Sequence, residues 1–216
     1  MYKFAYIGAA LIVGAFAAVA AETKQPTDAE RQDFLARFPR TGLNTTPGDA
    51  MLLRILVESR HAQRGVEVGS ATGYGAINMG LAFERTGGHL YTLEIAPEMV
   101  KICRENVEKM GLAKSVTCIE GDALKTLPAL EGDFDFVFLD AVKKDYFKYF
   151  KMVESRLKDG AVIVADNAIK SAEAMKDYLD YVQSSPEYET VIVRASDEKG
   201  DGMAVTCKIG RTPKKE

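Results

Sequence analysis

The chain has 216 residues, 28 basic and 31 acidic side chains, a formal net charge of -3 and a 47% hydrophobic content. That length accommodates one α/β domain and a short leader, and the near-balanced charge excludes a global basic field drawing the chain to nucleic acid. Cys103, Cys118 and Cys207 are far apart in the sequence and form no CxxC pair, so they are expected as small core residues rather than zinc ligands or redox centres.

The chain opens with MYKFAYIGAALIVGAFAAVAAETKQ: Lys3, then an apolar run from Phe4 to Ala21, with small residues crowded before Glu22. This predicts a signal peptide or an uncleaved N-terminal anchor over residues 1–21, with the abundance of Ala and Gly favouring cleavage. The protein is then secreted or periplasmic if the segment is removed and membrane-anchored if it is not. Residues 22–44 read as a linker containing a short helix around Asp28 to Arg37, and 45–216 as one folded domain.

Pro47, Gly48 and Asp49 open an amphipathic helix whose stripe is expected to be Met51, Leu52, Ile55 and Leu56. Gly65 to Ala76, GVEVGSATGYGA, follows, where a short apolar run ends in Gly69, Gly73 and Gly75 before helical sequence resumes at Ile77. A strand, a glycine turn and a helix form a nucleotide-binding corner, because glycine lets backbone approach a ligand and the helix start offers free N–H groups. The dinucleotide fingerprint G-x-G-x-x-G is not met, since Ala71 stands at its second glycine. What remains open at this point is a ligand site or a tight turn with no ligand.

Further strands are expected at His89–Glu94, Ser115–Ile119, Phe134–Leu139 and Ala161–Ala165, with helices from Pro97 to about Met110 and from the Asp140 region to about Leu157. Alternating strands and helices predict a Rossmann-like parallel sheet covered on both faces. Two β-rich runs, Thr190–Arg194 and Ala204–Ile209, break the rhythm and predict an antiparallel C-terminal hairpin at the sheet edge.

Ligands of open parallel sheets bind beyond the carboxyl ends of the strands. Those ends carry the glycine loop, Glu94, Gly121-Asp122-Ala123, Asp140 and the Asp166-Asn167 pair. Glu94 either accepts from ribose hydroxyls or is a solvated charge at a helix start, and Asp122 either bonds an adenine amino group or caps a helix. Asp140, Asp166 and Asn167 are hard oxygen donors suited to an octahedral cation, although each alone is explained by capping or a turn.

Glu67-x-Gly69-x-Ala71-x-Gly73 resembles the first motif of class I S-adenosylmethionine-dependent methyltransferases, and an acidic residue there suits a cationic donor. FDFVFLDAVKKDYFKYF together with VIVADNAI resembles the cation-dependent O-methyltransferases of the catechol and caffeoyl-CoA type, over about Thr45 to Ile209. The resemblance implies a class I methyltransferase fold and a divalent cation (Mg²⁺, with Ca²⁺ or Mn²⁺ as alternatives) on Asp140, Asp166 and Asn167. It implies Lys143 as general base, with the adjacent Lys144 competing for that assignment. The cofactor contacts it implies are Thr46, Pro47, Gly48, Glu67, Gly69, Tyr74, Gly75, Glu94, Ile95, Asp122, Ala123 and Asp140.

Relatives often have serine at the place of Gly75, so one hydrogen bond to the methionine carboxylate is expected to be missing. The catechol enzyme's Asp-Gly-Leu-Glu ends in a substrate-holding glutamate, whereas Asp201-Gly202-Met203 is followed here by Ala204, which points to the bacterial caffeoyl-CoA-like branch. The expected acceptor is a small hydroxylated molecule, with a second copy of the chain as the only macromolecular partner, in a homodimer. A tRNA hydroxyuridine acceptor and a non-catalytic binder of S-adenosylmethionine or another nucleoside are the alternatives. The donor is a cytosolic metabolite, which argues for cytoplasmic access against the apparent leader.

Overall fold

The computed structural model describes residues 25–210, so the apolar run at the N-terminus lies outside the described residues. In chain order the elements are α1 (Asp28–Ala36), α2 (Pro47–Arg60), β1 (Arg64–Val68), α3 (Tyr74–Thr86), β2 (His89–Glu94), α4 (Pro97–Lys109) and β3 (Val116–Glu120). There follow α5 (Ala123–Ala129), β4 (Phe134–Leu139), α6 (Tyr146–Glu154), β5 (Leu157–Ala165), α7 (Lys176–Ser184), β6 (Tyr188–Val193) and β7 (Met203–Lys208). Helix starts follow local chemistry. Thr27 and Glu30 form a reciprocal capping box on α1, Thr46 caps α2 with Pro47 in the first turn, and Asp122 caps α5.

The strands form one sheet in the order β3-β2-β1-β4-β5-β7-β6. β1 to β5 are parallel, whereas β7 runs antiparallel to both β5 and β6. The expected hairpin is therefore present, with its second strand inside the sheet and its first, β6, at the edge. The chain proceeds outward from β1 to β3 and then returns to place β4 on the other side of β1. That reversal leaves a crevice at the carboxyl ends of β1 and β4.

β4 is the spine, with all six residues buried. Phe136 and Phe138 face the layer of α2, α3 and α4, while Val137 and Leu139 face the layer of α5, α6 and α7. Two boundaries differ from the sequence expectation. α6 stops at Glu154 and β5 starts early at Leu157, passing through Gly160 at φ 73. The helix α7, which presents Tyr178, Leu179 and Val182 to the core, has no counterpart in the sequence reading.

The apolar stripe expected on α2 is corrected in part: Leu52 and Leu56 are half-buried and pack against the core. Met51 and Ile55 are exposed, at 48% and 53%, while Ala50, Leu53 and Val57 are fully buried. Asp49 is buried with them on the same helical face. An acidic residue in the buried row hid that row from a reading based on hydrophobic spacing.

The opposite burial of neighbouring residues on α2 gives a direct test. Leu53→Ala is expected to destabilise the protein by roughly 2–5 kcal/mol and Ile55→Ala by about 0.5 kcal/mol or less, read from urea unfolding midpoints.

Candidate active site

The glycine corner owes its shape to crowding. Gly69 lies at φ 95, and a Cβ there would overlap the carbonyl oxygen of Asp140. Its N–H donates to Leu93 O at 2.8 Å, while Asp140 N–H donates to Val68 O at 2.9 Å, so the turn is clamped between β2 and β4. Ala71 adopts φ 46, a left-handed conformation that glycine takes freely and alanine at a cost of roughly 1–2 kcal/mol. Its N–H is held at 2.9 Å by Glu94 Oε2, and Glu94 Oε1 accepts from Ala96 N at 3.0 Å. Glu94 thus ties the corner to the start of α4.

A cavity of about 460 Å³ opens beyond this corner, large enough for a small-molecule ligand. Gly69, Glu94, Ile95, Asp122, Ala123, Asp140, Lys143, Asp166 and Asn167 all line it, so the structure brings these sequence-predicted residues together. Asp122 both caps α5, accepting from Leu124 N at 2.9 Å, and faces the cavity. The rim carries exposed apolar side chains: Leu43, Ile95 and Val142.

Asp140 and Asp166 are each one step past the paired residues Leu139 and Ala165 of adjacent parallel strands, which places their backbones side by side about 5 Å apart. Burial raises the Asp140 carboxyl, and the Asp166 charge raises it further against Lys143 and Lys199, leaving it at about 6. Lys143 Nζ donates to Asp140 Oδ1 at 3.0 Å and to the buried Tyr146 hydroxyl at 2.7 Å. Lys144 is exposed and lines no part of the cavity, so of the two lysines Lys143 reaches the site.

Asn167 sits at φ 63, a region asparagine tolerates better than most residues. Its Nδ2 donates to Asp201 Oδ2 at 3.0 Å, leaving Oδ1 as the acceptor. Asp201 also accepts from the N–H groups of Ile169, Lys170 and Gly202. Burial would raise its carboxyl, but these bonds outweigh that and hold it below the ordinary range. The donor set of Asp140, Asp166 and the Asn167 oxygen fits a hard divalent cation. Among the described residues no three Asp, Glu, His or Cys side chains are placed to hold a metal ion together, so any cation here relies on the amide.

A cation from the protein itself already meets this set. Lys199 Nζ, on the segment between β6 and β7, bonds both oxygens of Asp166 and lies 3.3 Å from Asp49 Oδ2. Burial lowers the Lys199 ammonium, but Asp166, Asp49 and Asp140 more than reverse this and keep it charged.

Six predicted contacts do not line the cavity. Thr46, Pro47 and Gly48 form the capped start of α2, where Gly48 packs on the Ala195 carbonyl. Tyr74 turns into the core against Phe38. Gly75 faces Glu67 and Thr45, with a hypothetical Cβ 2.7 Å from Glu67 Oε1, so any larger residue there would displace the glutamate.

Glu67 itself is 1% exposed beneath the corner, bonded by the Thr92 hydroxyl, and burial pushes its carboxyl well above the carboxylate range. That direction favours the neutral form, so burial works against the negative charge expected to greet a cationic donor. Asn44, Tyr149, Lys199, Asp49 and Asp201 escaped sequence reasoning, and of these only the Asp201-Gly202 dipeptide carried a local signal, that of a turn. The three cysteines are free, with Cys103 Sγ 3.4 Å from Cys118 Sγ and Cys103 packed beneath Gly73.

Comparison with known proteins adds an independent line. The sequence profile of a family described as O-methyltransferase matches residues 19–191. The chain is 30% identical over 183 residues to a catechol O-methyltransferase of Mycobacterium tuberculosis, covering 79% of this chain and 82% of that one. It is 30% identical over 146 residues to a caffeoyl-CoA O-methyltransferase of Zinnia elegans, covering 65% of this chain but only 59% of the plant protein. An O-methyltransferase structure from Bacillus cereus in complex with SAH superposes with a TM-score of 0.74 at 24% identity, covering 85% of this chain and 92% of that one, a likeness of fold.

Glu67 generates a prediction with a definite sign. A carboxyl whose folded pKa is raised binds more protons folded than unfolded, so its contribution to stability falls as pH rises above its ordinary 4.5. Glu67→Gln removes that slope. The variant is expected to gain stability relative to the parent between pH 5 and 8, measured as paired urea unfolding curves.

Proposed function

The chain belongs to the O-methyltransferase family, and from that premise we propose that it transfers the methyl group of S-adenosylmethionine to a hydroxyl of a small catechol-like or hydroxycinnamoyl-type acceptor, assisted by a divalent cation. One observation carries the reading: Lys143, Asp140, Asp166 and Asn167 share a cavity wall with the Gly69 corner and Glu94. In this reading a donor site and a proton acceptor open into the same space.

The glycine corner and Ile95 would hold the donor, with Glu94 turned to its ribose and Asp122 toward its base. Asp140 and Asp166 would hold the cation together with the Asn167 amide oxygen, which Asp201 orients. When bound, the cation supplies Lewis acidity, lowering the pKa of a hydroxyl coordinated to it.

Lys143 would take the acceptor proton. Lysine accepts a proton only in its neutral form, and the Tyr146 hydroxyl and Asp140 Oδ1 fix its nitrogen in place for that exchange. A bound donor would supply the methyl group to the deprotonated oxygen, its S–CH3 bond breaking to leave S-adenosylhomocysteine, and holding both reactants in one cavity would offset the entropy cost of their encounter, worth roughly 7–11 kcal/mol. The apolar rim residues Leu43 and Val142 suit a flat aromatic acceptor. Ala204, in place of a carboxylate at the start of β7, supports a wider range of acceptors than catechol alone.

A radiolabelled methyl-transfer screen over catechols and hydroxycinnamoyl thioesters, with and without Mg²⁺, tests the reading. Lys143→Ala is expected to lower turnover by about 10²- to 10⁴-fold while S-adenosylmethionine binding persists. Activity that survives exhaustive chelation would remove the cation from the scheme, and absence of transfer to every acceptor would remove the acceptor class.

A further inference from the structure

The Lys199 ammonium is seated where a divalent cation would have to bind. It bonds both oxygens of Asp166 and approaches Asp49, two carboxylates that are each 2% exposed. Its segment is fastened on several sides. Lys170 Nζ donates to Lys199 O, Arg40 pairs with Glu198 at 3.5 Å, and the Ala195 carbonyl packs against Gly48 at the start of α2. The side chain is 17% exposed, so the pair is shielded from water and salt.

Mg²⁺ draws carboxylate oxygens to about 2.0–2.1 Å, and Mn²⁺ takes the same hard oxygen donors. An ammonium engaging both oxygens of Asp166 occupies the lone pairs such an ion needs, and two cations at that separation repel. The two states are therefore mutually exclusive at Asp166. We propose that Lys199 is a tethered competitor of the divalent cation, so that the ion binds only when Lys199 leaves Asp166 and the segment between β6 and β7 lifts with it.

Two consequences follow from mass action. The apparent affinity for the ion is the intrinsic affinity reduced by the fraction of molecules in which Asp166 is free. By reciprocity the ion must loosen Lys199 as much as Lys199 weakens the ion. In the ion-free protein Lys199 also neutralises the buried acids that would otherwise repel one another. The inference rests on the reading of Asp140, Asp166 and Asn167 as a divalent-cation site.

Mn²⁺ binding to the full chain, followed by loss of the free-ion electron paramagnetic resonance signal, tests it without recourse to activity. Lys199→Met is expected to bind Mn²⁺ about tenfold or more tighter than the parent, while Lys144→Met, which removes an equal charge from an exposed position, changes affinity by less than about twofold. In the parent protein, saturating Mn²⁺ is expected to accelerate tryptic cleavage after Lys199, a readout that stands even if Lys199→Met folds poorly. Equal or weaker Mn²⁺ binding by a folded Lys199→Met, or cleavage unchanged by Mn²⁺, overturns the competition alone. Failure of both proteins to bind Mn²⁺ overturns the cation site and the competition together.

Discussion

Everything at the site depends on the absence of a side chain at Gly69. Because the backbone there rests directly on the Asp140 carbonyl, the corner that would hold a methyl donor and the acidic ends of β4 and β5 are brought as close as two chains can come. The switch in strand order between β2 and β4 creates the crevice, and the glycine lets it close to working distance. Ala71 shows that this arrangement is retained against a local cost, since its left-handed backbone is held by the Glu94 carboxylate rather than by its own preference.

The second theme is charge kept in balance out of water. Asp49, Asp166 and Asp140 gather at one end of the sheet, and Lys143 and Lys199 answer them from two different segments. Buried acids of one sign are costly unless paired. Pairing with lysine leaves each carboxylate able to exchange its partner, which a purely structural salt bridge would not require. Glu67, whose partner is the Thr92 hydroxyl, instead has its carboxyl pushed up by burial.

Much of this was legible before any coordinates. Strand ends such as Glu94, Asp140 and Asp166 are marked by apolar runs closing on a charge, and the family resemblance points to Lys143, which lines the cavity where its neighbour Lys144 does not. What escaped falls into two kinds. Asp49 and Lys199 are 150 residues apart, and nothing in either neighbourhood announces a partner at that range. The burial of α2 was read only in part, because its core-facing row contains that same Asp49: Leu52 and Leu56 do pack against the core, whereas Met51 and Ile55 are exposed. Tyr74 and Gly75 belong to the motif yet face the core and Glu67 rather than the cavity, because α3 begins at Tyr74 and turns them away.

The placement of β7 inside the sheet has an outcome for how such a chain can diverge. With β6 outermost, the connection from β6 back to β7 must arch over the carboxyl edge, and no strand pairing fixes its length. Lengthening an arch of this kind costs only a logarithmic entropy, so residues can be gained or lost there while the seven strands keep their register. Insertion and deletion at this one bend would change what hangs over the crevice, and how far it reaches, leaving the scaffold below untouched.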